Sequence, residues 1–502
     1  MHGLPLRASV RGVAACWRAG GCYAVNHCAP VVKTRYLNTS ITHAAAAQEI
    51  SPMSTDWLIK NAELVNEGRR FHADLRVKDG RIETIAGDLD ARPGEPVVDA
   101  SGLWLLPGMI DDQVHFREPG LTHKADTWHE SRACAAGGIT SFMEMPNTRP
   151  PALDRDTLEA KYTRAAETSA VNYAYYMGAS NDNLEAIRAL DPKAAPGVKV
   201  FMGASTGNML VDNPETLDGI FRDCPTPIIT HCEDTPMIDA LHAKAREKYG
   251  DDIPAWEHPL IRSREACIKS TRLAISLAQK HGTRLHVLHI STADELALFQ
   301  PGPIRRPDGS RKQITAETCV HFLHFDDRDY ERLGFLIKCN PAIKTSADRE
   351  AIIKALAEGR IDVLATDHAP HLLEEKAQKY DNAPSGLPLV QFALQAALQR
   401  VFEGKLTLER AVESVTHAPA TLFDVRERGY LREGYAADLT LVDPNKPHTV
   451  TRAEVLSKCG WSPFEGETFH SSIISTFVNG QRVWDGTKID ESVRGQRLTF
   501  AR

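Results

Sequence analysis

The sequence predicts an α/β chain: a (β/α)8 TIM-type barrel carrying a small β-sandwich domain formed from both chain ends. Three observations lead there. Through the middle of the chain, eight short apolar runs alternate with longer amphipathic stretches of helical period. The two flanks read instead as short strands joined by tight turns. No GxGxxG follows the first apolar run of the middle, which counts against the runner-up, a doubly wound open sheet.

On the N-terminal flank, residues 74–78 and 81–85 are separated by Asp79-Gly80. An Asp-Gly pair between two apolar runs is a hairpin signal, because both turn positions need positive φ. The eight candidate barrel strands are residues 109–115, 140–145, 172–177, 198–202, 228–232, 285–290, 314–320 and 363–367. Stretches such as 153–168, 262–280 and 348–358 supply the helices between them. Residues 437–442 and 475–483 return to strand patterning. The expected division is an extension over 1–52, a first β part over 53–106, the barrel over 107–425, and a second β part with a C-terminal tail over 426–502.

Residues 1–48 contain no Asp or Glu and show no sustained periodicity. That composition fits a transit segment; it also fits a start assigned upstream of Met53, the reading we adopt. On either reading, removing residues 1–52 is expected to leave activity unchanged. The 502-residue chain carries a formal net charge of −7, which argues against a nucleic-acid partner. It has no apolar run of about 18 residues, so no membrane span is expected. Of ten cysteines, three (Cys16, Cys22, Cys28) lie in the extension, and none of the rest has CxxC spacing. Reduced, buried thiols in a cytoplasmic enzyme follow. Cys232 is read in the same way, as a small buried hydrophobe.

In a barrel, chemistry gathers at the C-terminal ends of the strands. A histidine at one strand end is ordinarily a hydrogen-bonded structural residue. Here His115, His231, His289 and Asp367 all end candidate strands and would share one mouth. Imidazoles plus a carboxylate are a donor set that zinc accepts. Lys199, on the fourth strand, does not fit that set as an ammonium. It fits as a carbamate, formed when a neutral amine takes up carbon dioxide. The ordinary lysine pKa of about 10.4 must then be lowered by burial or by nearby cations. A buried lysine snorkelling to a carboxylate is the alternative.

The runs His115-Phe116-Arg117-Glu118-Pro119-Gly120, Met145-Pro146-Asn147-Thr148 and Thr366-Asp367-His368-Ala369-Pro370-His371 resemble the dihydroorotases of the amidohydrolase superfamily. The likeness spans about residues 57–485 and includes Gly434-Tyr435-Ala436-Ala437-Asp438-Leu439 in the split β domain. It implies one or two Zn2+ ions per subunit, with His115, Lys199 (N6-carboxylated), His231, His289 and Asp367 as ligands. It implies Asp367 as the proton shuttle. Arg117, Asn147 and His371 would hold the substrate carboxylate, and Asn340 would contact the ring. It also implies a homo-oligomer and a small anionic cyclic-amide substrate, L-dihydroorotate, opened to N-carbamoyl-L-aspartate by a metal-activated hydroxide in pyrimidine synthesis.

One position departs from the pattern. The first strand of the family carries HxH, and this chain has Gln113-Val114-His115. A neutral amide oxygen is a poorer zinc ligand than imidazole, so Gln113 weakens the first metal position. His123, eight residues on, is the one nearby imidazole that could reach back. Two alternatives stay open: another cyclic-amide hydrolase (allantoinase, hydantoinase or dihydropyrimidinase), and a non-catalytic scaffold, which Gln113 alone motivates.

Overall fold

The computed structural model describes residues 55–203 and 209–502. The extension over 1–52, its three cysteines and the Met53 start lie outside the described residues.

The N-terminal flank forms five strands: β1 (Trp57–Asn66), β2 (Arg69–Lys78), β3 (Arg81–Ala86), β4 (Val97–Asp99) and β5 (Trp104–Pro107). The predicted hairpin joins β2 to β3 antiparallel, with Asp79 and Gly80 at φ 51° and 75°. That double positive φ is what the Asp-Gly pair is suited to.

The barrel strands follow: β6 (Met109–Val114), β7 (Ile139–Glu144), β8 (Asn172–Tyr175), β9 (Met177–Gly178), β10 (Val198–Phe201), β11 (Ile228–His231), β12 (Leu285–Val287), β13 (Ile314–Cys319) and β14 (Val363–Ala365). Every pairing among them is parallel. β8 and β9 are one predicted strand interrupted at Tyr176, so all eight predicted strands are present. A parallel bridge between Val114 and His368, with His115 N–H donating to His368 O at 2.7 Å, closes the ring from the end of β14 back to β6.

Helices form where the sequence caps them. Ser263 accepts from Ala266 N at the start of Arg264–His281, and Gly282 ends that helix in the left-handed region at φ 71°. Thr345 and Asp348 make a reciprocal capping box for Ser346–Ala357.

At the other end, β15 (Leu439–Asp443), β16 (His448–Thr449), β17 (Thr468–Phe469), β18 (Ser472–Val478) and β19 (Gln481–Trp484) complete the strands. β15, β18 and β19 join β1–β5 in one eight-stranded sheet, with β15 pairing directly to β5. The sheet curls until Arg81 bridges Ala436. Its inner face closes over Trp57, Leu64, Leu75, Leu105, Leu439 and Phe477. The two chain ends therefore build one β unit with its own core.

The last residues do more than trail away. Leu498 and Phe500 are buried with Ile110, Met143, Ala174 and Ile229 of the barrel strands. The seven described cysteines are free thiols, six of them buried. Cys232 is among those, with its thiol pushed up to about 11 by burial. Among the described residues, no helix is long and apolar enough to cross a membrane.

Candidate active site

Three of the residues singled out at strand ends have left-handed backbones: Arg117 (φ 68°), His289 (φ 41°) and Asp367 (φ 51°). Such conformations cost an L-residue about 1–3 kcal/mol and persist where the surroundings over-determine them. Here each sits where a strand ends and the chain turns its side chain into the mouth.

His231 and His289 meet directly. Nδ1 of His231 lies 3.0 Å from Nε2 of His289. Nε2–H of His231 donates to Glu233 at 3.0 Å, and Glu233 is itself held by Arg262. That bond leaves the His231 Nδ1 lone pair pointing at its neighbour. Burial lowers both imidazoles, and Lys199 lowers them further, so both are neutral.

His115 is built the same way. Its Nδ1–H donates to Asn147 Oδ1 at 2.8 Å, which turns Nε2 toward Asp367 Oδ1 at 3.2 Å. Burial alone would raise the Asp367 carboxyl. The polar contacts around it, His115 at 3.2 Å and Lys199 and His321 nearby, instead hold it below the usual range. Asn147 thus commits its carbonyl oxygen to His115 and has only its amide nitrogen to offer a ligand.

Lys199 is buried, with its ammonium 4.8 Å from the Phe201 ring centre. Burial pulls its pKa down to about 8, and Asp367 and Glu317 only partly oppose that. Its charge acts on His115, His231, His289 and Asp367 alike.

Gln113 points into the same place, but with its amide NH2 toward Asp367 Oδ1 at 3.1 Å. Its oxygen faces the Cys319 thiol at 4.0 Å. As placed, Gln113 is a donor to Asp367 rather than a stand-in for the missing histidine. His123 does not reach the site. It is more than half exposed, 3.7 Å from Glu375.

Arg117 is buried, with Nε donating to Pro370 O at 3.3 Å and Nη2 against His371 Nε2 at 3.0 Å. Asp367, Glu144, Glu375 and Glu130 act on its charge, but among the described residues no acid lies within ion-pair distance of it. Glu118 pairs with Arg164, and Asp112 faces His286. His371 lies between Arg117 and Lys124; burial and those cations bring it down to about 3, so it is neutral.

The loop after His371 is fixed. Lys376 Nζ donates to Lys338 O, Pro384 O and Gly386 O, and Lys338 Nζ to Tyr380 O and Ala383 O. Gly386 (φ 144°) must be glycine, since a Cβ there would lie 2.3 Å from Ala369 O. The same lysine bonds bring Cys339-Asn340 beside this loop. Asn340 Oδ1 is buried without a hydrogen-bond partner.

Several site-adjacent groups are not evident from strand-end reasoning. His321, just after β13, is buried with neither ring nitrogen bonded, and it acts on Asp367 and His289. Beneath the mouth, Asp112, His286 and Glu317 bring ligand atoms within 4.8 Å of one another. The signal available was the presence of acids inside otherwise apolar strands, which is costly without a partner.

Residues 104–483 match the family model described as the amidohydrolase family. The chain belongs to the amidohydrolase family. Among its similar relatives are a dihydroorotase of Halobacterium salinarum, 34% identical over 83% of this chain and 94% of that protein, and an allantoinase of Bacillus velezensis, 32% identical over 89% and 98%. Among solved structures, the L-hydantoinase (dihydropyrimidinase) of Arthrobacter aurescens superposes with a TM-score of 0.81 at 28% identity, covering 88% of this chain and 99% of that one. The amidohydrolase family uses divalent metal, and the donor set of this member suits it. Two ligands at about 2.0–2.1 Å from one zinc lie about 3.4 Å apart in a tetrahedron. The paired nitrogens of His231 and His289, at 3.0 Å, approach that spacing. Glu233 and Asn147 hold the opposite nitrogens, as outer partners of metal-bound histidines do.

Proposed function

We propose that this amidohydrolase hydrolyses cyclic amides, and specifically that it is a dihydroorotase interconverting L-dihydroorotate and N-carbamoyl-L-aspartate. One observation carries the substrate. Arg117 is a buried cation at the mouth whose direct contacts are a carbonyl oxygen and a neutral imidazole, with no carboxylate in ion-pair contact among the described residues, so its guanidinium fork suits an anionic ligand. Dihydroorotate brings a ring carboxylate, and a guanidinium fork can bind it bidentately. Hydantoin has no such group.

In this reading His231, His289, His115, Asp367 and Lys199, the last as its carbamate, hold divalent metal, with zinc as the expected ion. When bound, the metal polarises the ring amide and brings the pKa of water from 15.7 to about 7. The chain's own residues do the rest. Asp367 Oδ1, kept ionised beside His115, accepts the proton of the attacking water and returns it to the leaving ring nitrogen. Gln113 donates to that same oxygen and so fixes where the carboxylate waits. Arg117, His371 and the amide nitrogen of Asn147 bind the substrate carboxylate. Asn340 Oδ1 and the backbone near Gly386 face the ring.

Allantoinase is the second reading, favoured by the relative from Bacillus velezensis that matches across 98% of its length. The test is the full-length protein, reconstituted with zinc in bicarbonate and assayed on L-dihydroorotate, allantoin and hydantoin side by side. Preference for dihydroorotate is expected. Preference for allantoin would keep the chemistry and overturn the substrate. No turnover of any ring, with the metal bound, would favour a non-catalytic scaffold.

A further inference from the structure

Below the mouth, on the inner face of the barrel, lie three fully buried groups that the proposed reaction does not use: Asp112 on β6, His286 on β12 and Glu317 on β13. Asp112 neighbours Gln113 where the register of β6 against β7 shifts between Asp111 and Val114, and it faces His286 while Gln113 faces Asp367.

The hydrogen bonds around this trio fix how the His286 ring is turned. Thr315 Oγ1 donates its hydroxyl proton to Leu285 O, so toward His286 it can only accept. The His286 Nδ1–H therefore donates to Thr315 Oγ1 at 2.8 Å. What remains is Nε2, aimed between Asp112 Oδ2 at 3.4 Å and Glu317 Oε2 at 3.5 Å. Both distances exceed the 2.7–3.2 Å typical of an N–H···O bond, and neither contact is made as one. Nε2, both Asp112 oxygens and Glu317 Oε2 are buried without a hydrogen-bond partner. Three of these atoms, one from each residue, lie within 4.8 Å of one another, and unpartnered polar atoms inside a protein are expensive unless a cation joins them.

We infer that Asp112, His286 and Glu317 form a second, structural metal site in the barrel floor, separate from the site at the mouth. The separations fit. Ligands about 2.0–2.2 Å from a tetrahedral ion stand about 3.4 Å apart, which His286 Nε2 matches to Asp112 Oδ2 at 3.4 Å and to Glu317 Oε2 at 3.5 Å. Burial works against a charged His286, but Asp112 and Glu317 raise it to about 9, and burial raises Glu317 to about 8. A divalent ion would displace those protons and be balanced by two carboxylates and a neutral imidazole. The surroundings repeat the mouth's construction. Thr315 holds the far nitrogen of His286, as Asn147 holds that of His115 and Glu233 that of His231. Glu317 Oε1 accepts from His289 N–H at 3.2 Å, so an ion in the floor would also brace a residue of the mouth. Imidazole with carboxylates suits zinc and its first-row neighbours, and zinc is the probe.

The decisive measurement is anomalous diffraction at the zinc edge from crystals of the full-length protein grown with zinc. A peak between Asp112 Oδ2, His286 Nε2 and Glu317 Oε2 is expected, apart from any density at His231 and His289. Metal counting on the purified chain gives the second arm. Asp112→Asn and Glu317→Gln should each lose one equivalent of zinc per chain relative to wild type, while a His231→Ala, His289→Ala double variant retains that equivalent. If zinc occupies the mouth and no peak stands in the floor, the trio is an ionic cluster and the inference is wrong. Should the floor variants fail to fold, the wild-type map decides alone. Neither readout depends on which ring is hydrolysed, so failure here is distinct from failure of the substrate assignment.

Discussion

Arg117 and Asp367 do different work, and their variants should separate binding from chemistry. Hydrogen bonds to a charged group contribute about 1.5–3 kcal/mol. Arg117→Ala should therefore cost about 10- to 100-fold in kcat/KM for L-dihydroorotate, mainly through KM, and leave turnover of a carboxylate-free ring unchanged. Arg117→Lys should recover only part, since it keeps the charge and loses the fork. An equal loss on both substrates would show that Arg117 only supports the mouth. Asp367→Asn should lower kcat by about 10²- to 10⁴-fold, the usual worth of a positioned acid–base group. Lys199 offers a pH test. Burial brings its pKa from 10.5 to about 8, so the reactive neutral amine is populated as pH rises through about 8. In metal-free protein at fixed dissolved carbon dioxide, the carbamate signal from 13C-labelled bicarbonate should grow between pH 7 and 9. A flat response would mean that Lys199 stays an ammonium. Arg117 and Asp367 were legible in the sequence because each lies where a strand ends, and barrel topology alone sends strand ends to one mouth; Lys199, inside β10, was legible through the family resemblance. The floor trio was not. Whether Asp112 or Gln113 faces the site depends on strand register and tilt, which pattern alone does not set.

At the scale of elements, the strands were readable because buried parallel strands appear as short apolar runs, and their helices carry explicit caps. The loop from His371 to Gly386 was not readable: charge and Pro384-Ser385-Gly386 suit a mobile lid and a fixed wall equally. What decides is Lys376, buried with its ammonium among three carbonyl oxygens at 2.9–3.0 Å. Such bonds join distant segments, Lys338 to Pro384 and Gly386, and no local pattern announces them. Lys376→Met would leave three carbonyls without their donor. It should cost about 3 kcal/mol of stability and speed amide exchange over residues 372–386, with KM rising as the wall loosens. Unchanged exchange would mean that Lys338 holds the loop alone.

For the whole molecule, the sequence shows that both ends build the β unit, because strand patterning appears only at the flanks. It does not show that the last residues serve the barrel. Leu498 and Phe500 are buried against β6, β7, β8 and β11. Arg502 donates to Pro196 O and Phe423 O, each at 2.7 Å, and Arg497 pairs with Glu159. The tail thus plugs the barrel at the N-terminal ends of its strands, opposite the mouth, where conservation of structure concerns stability rather than chemistry. Truncating a buried phenylalanine to alanine costs about 3–5 kcal/mol and a leucine about 2–5. Removing residues 497–502 should therefore destabilise the fold by about 5 kcal/mol or more, read as a lower melting temperature, with Phe500→Ala alone giving roughly half of that. Zinc uptake at His231 and His289, on the far side, should persist below the new melting point. If the truncated chain melted where the full chain does, the barrel would have to close without its plug. If instead zinc uptake fell while the melting temperature held, the two ends of the barrel would be coupled in a way that its packing does not suggest.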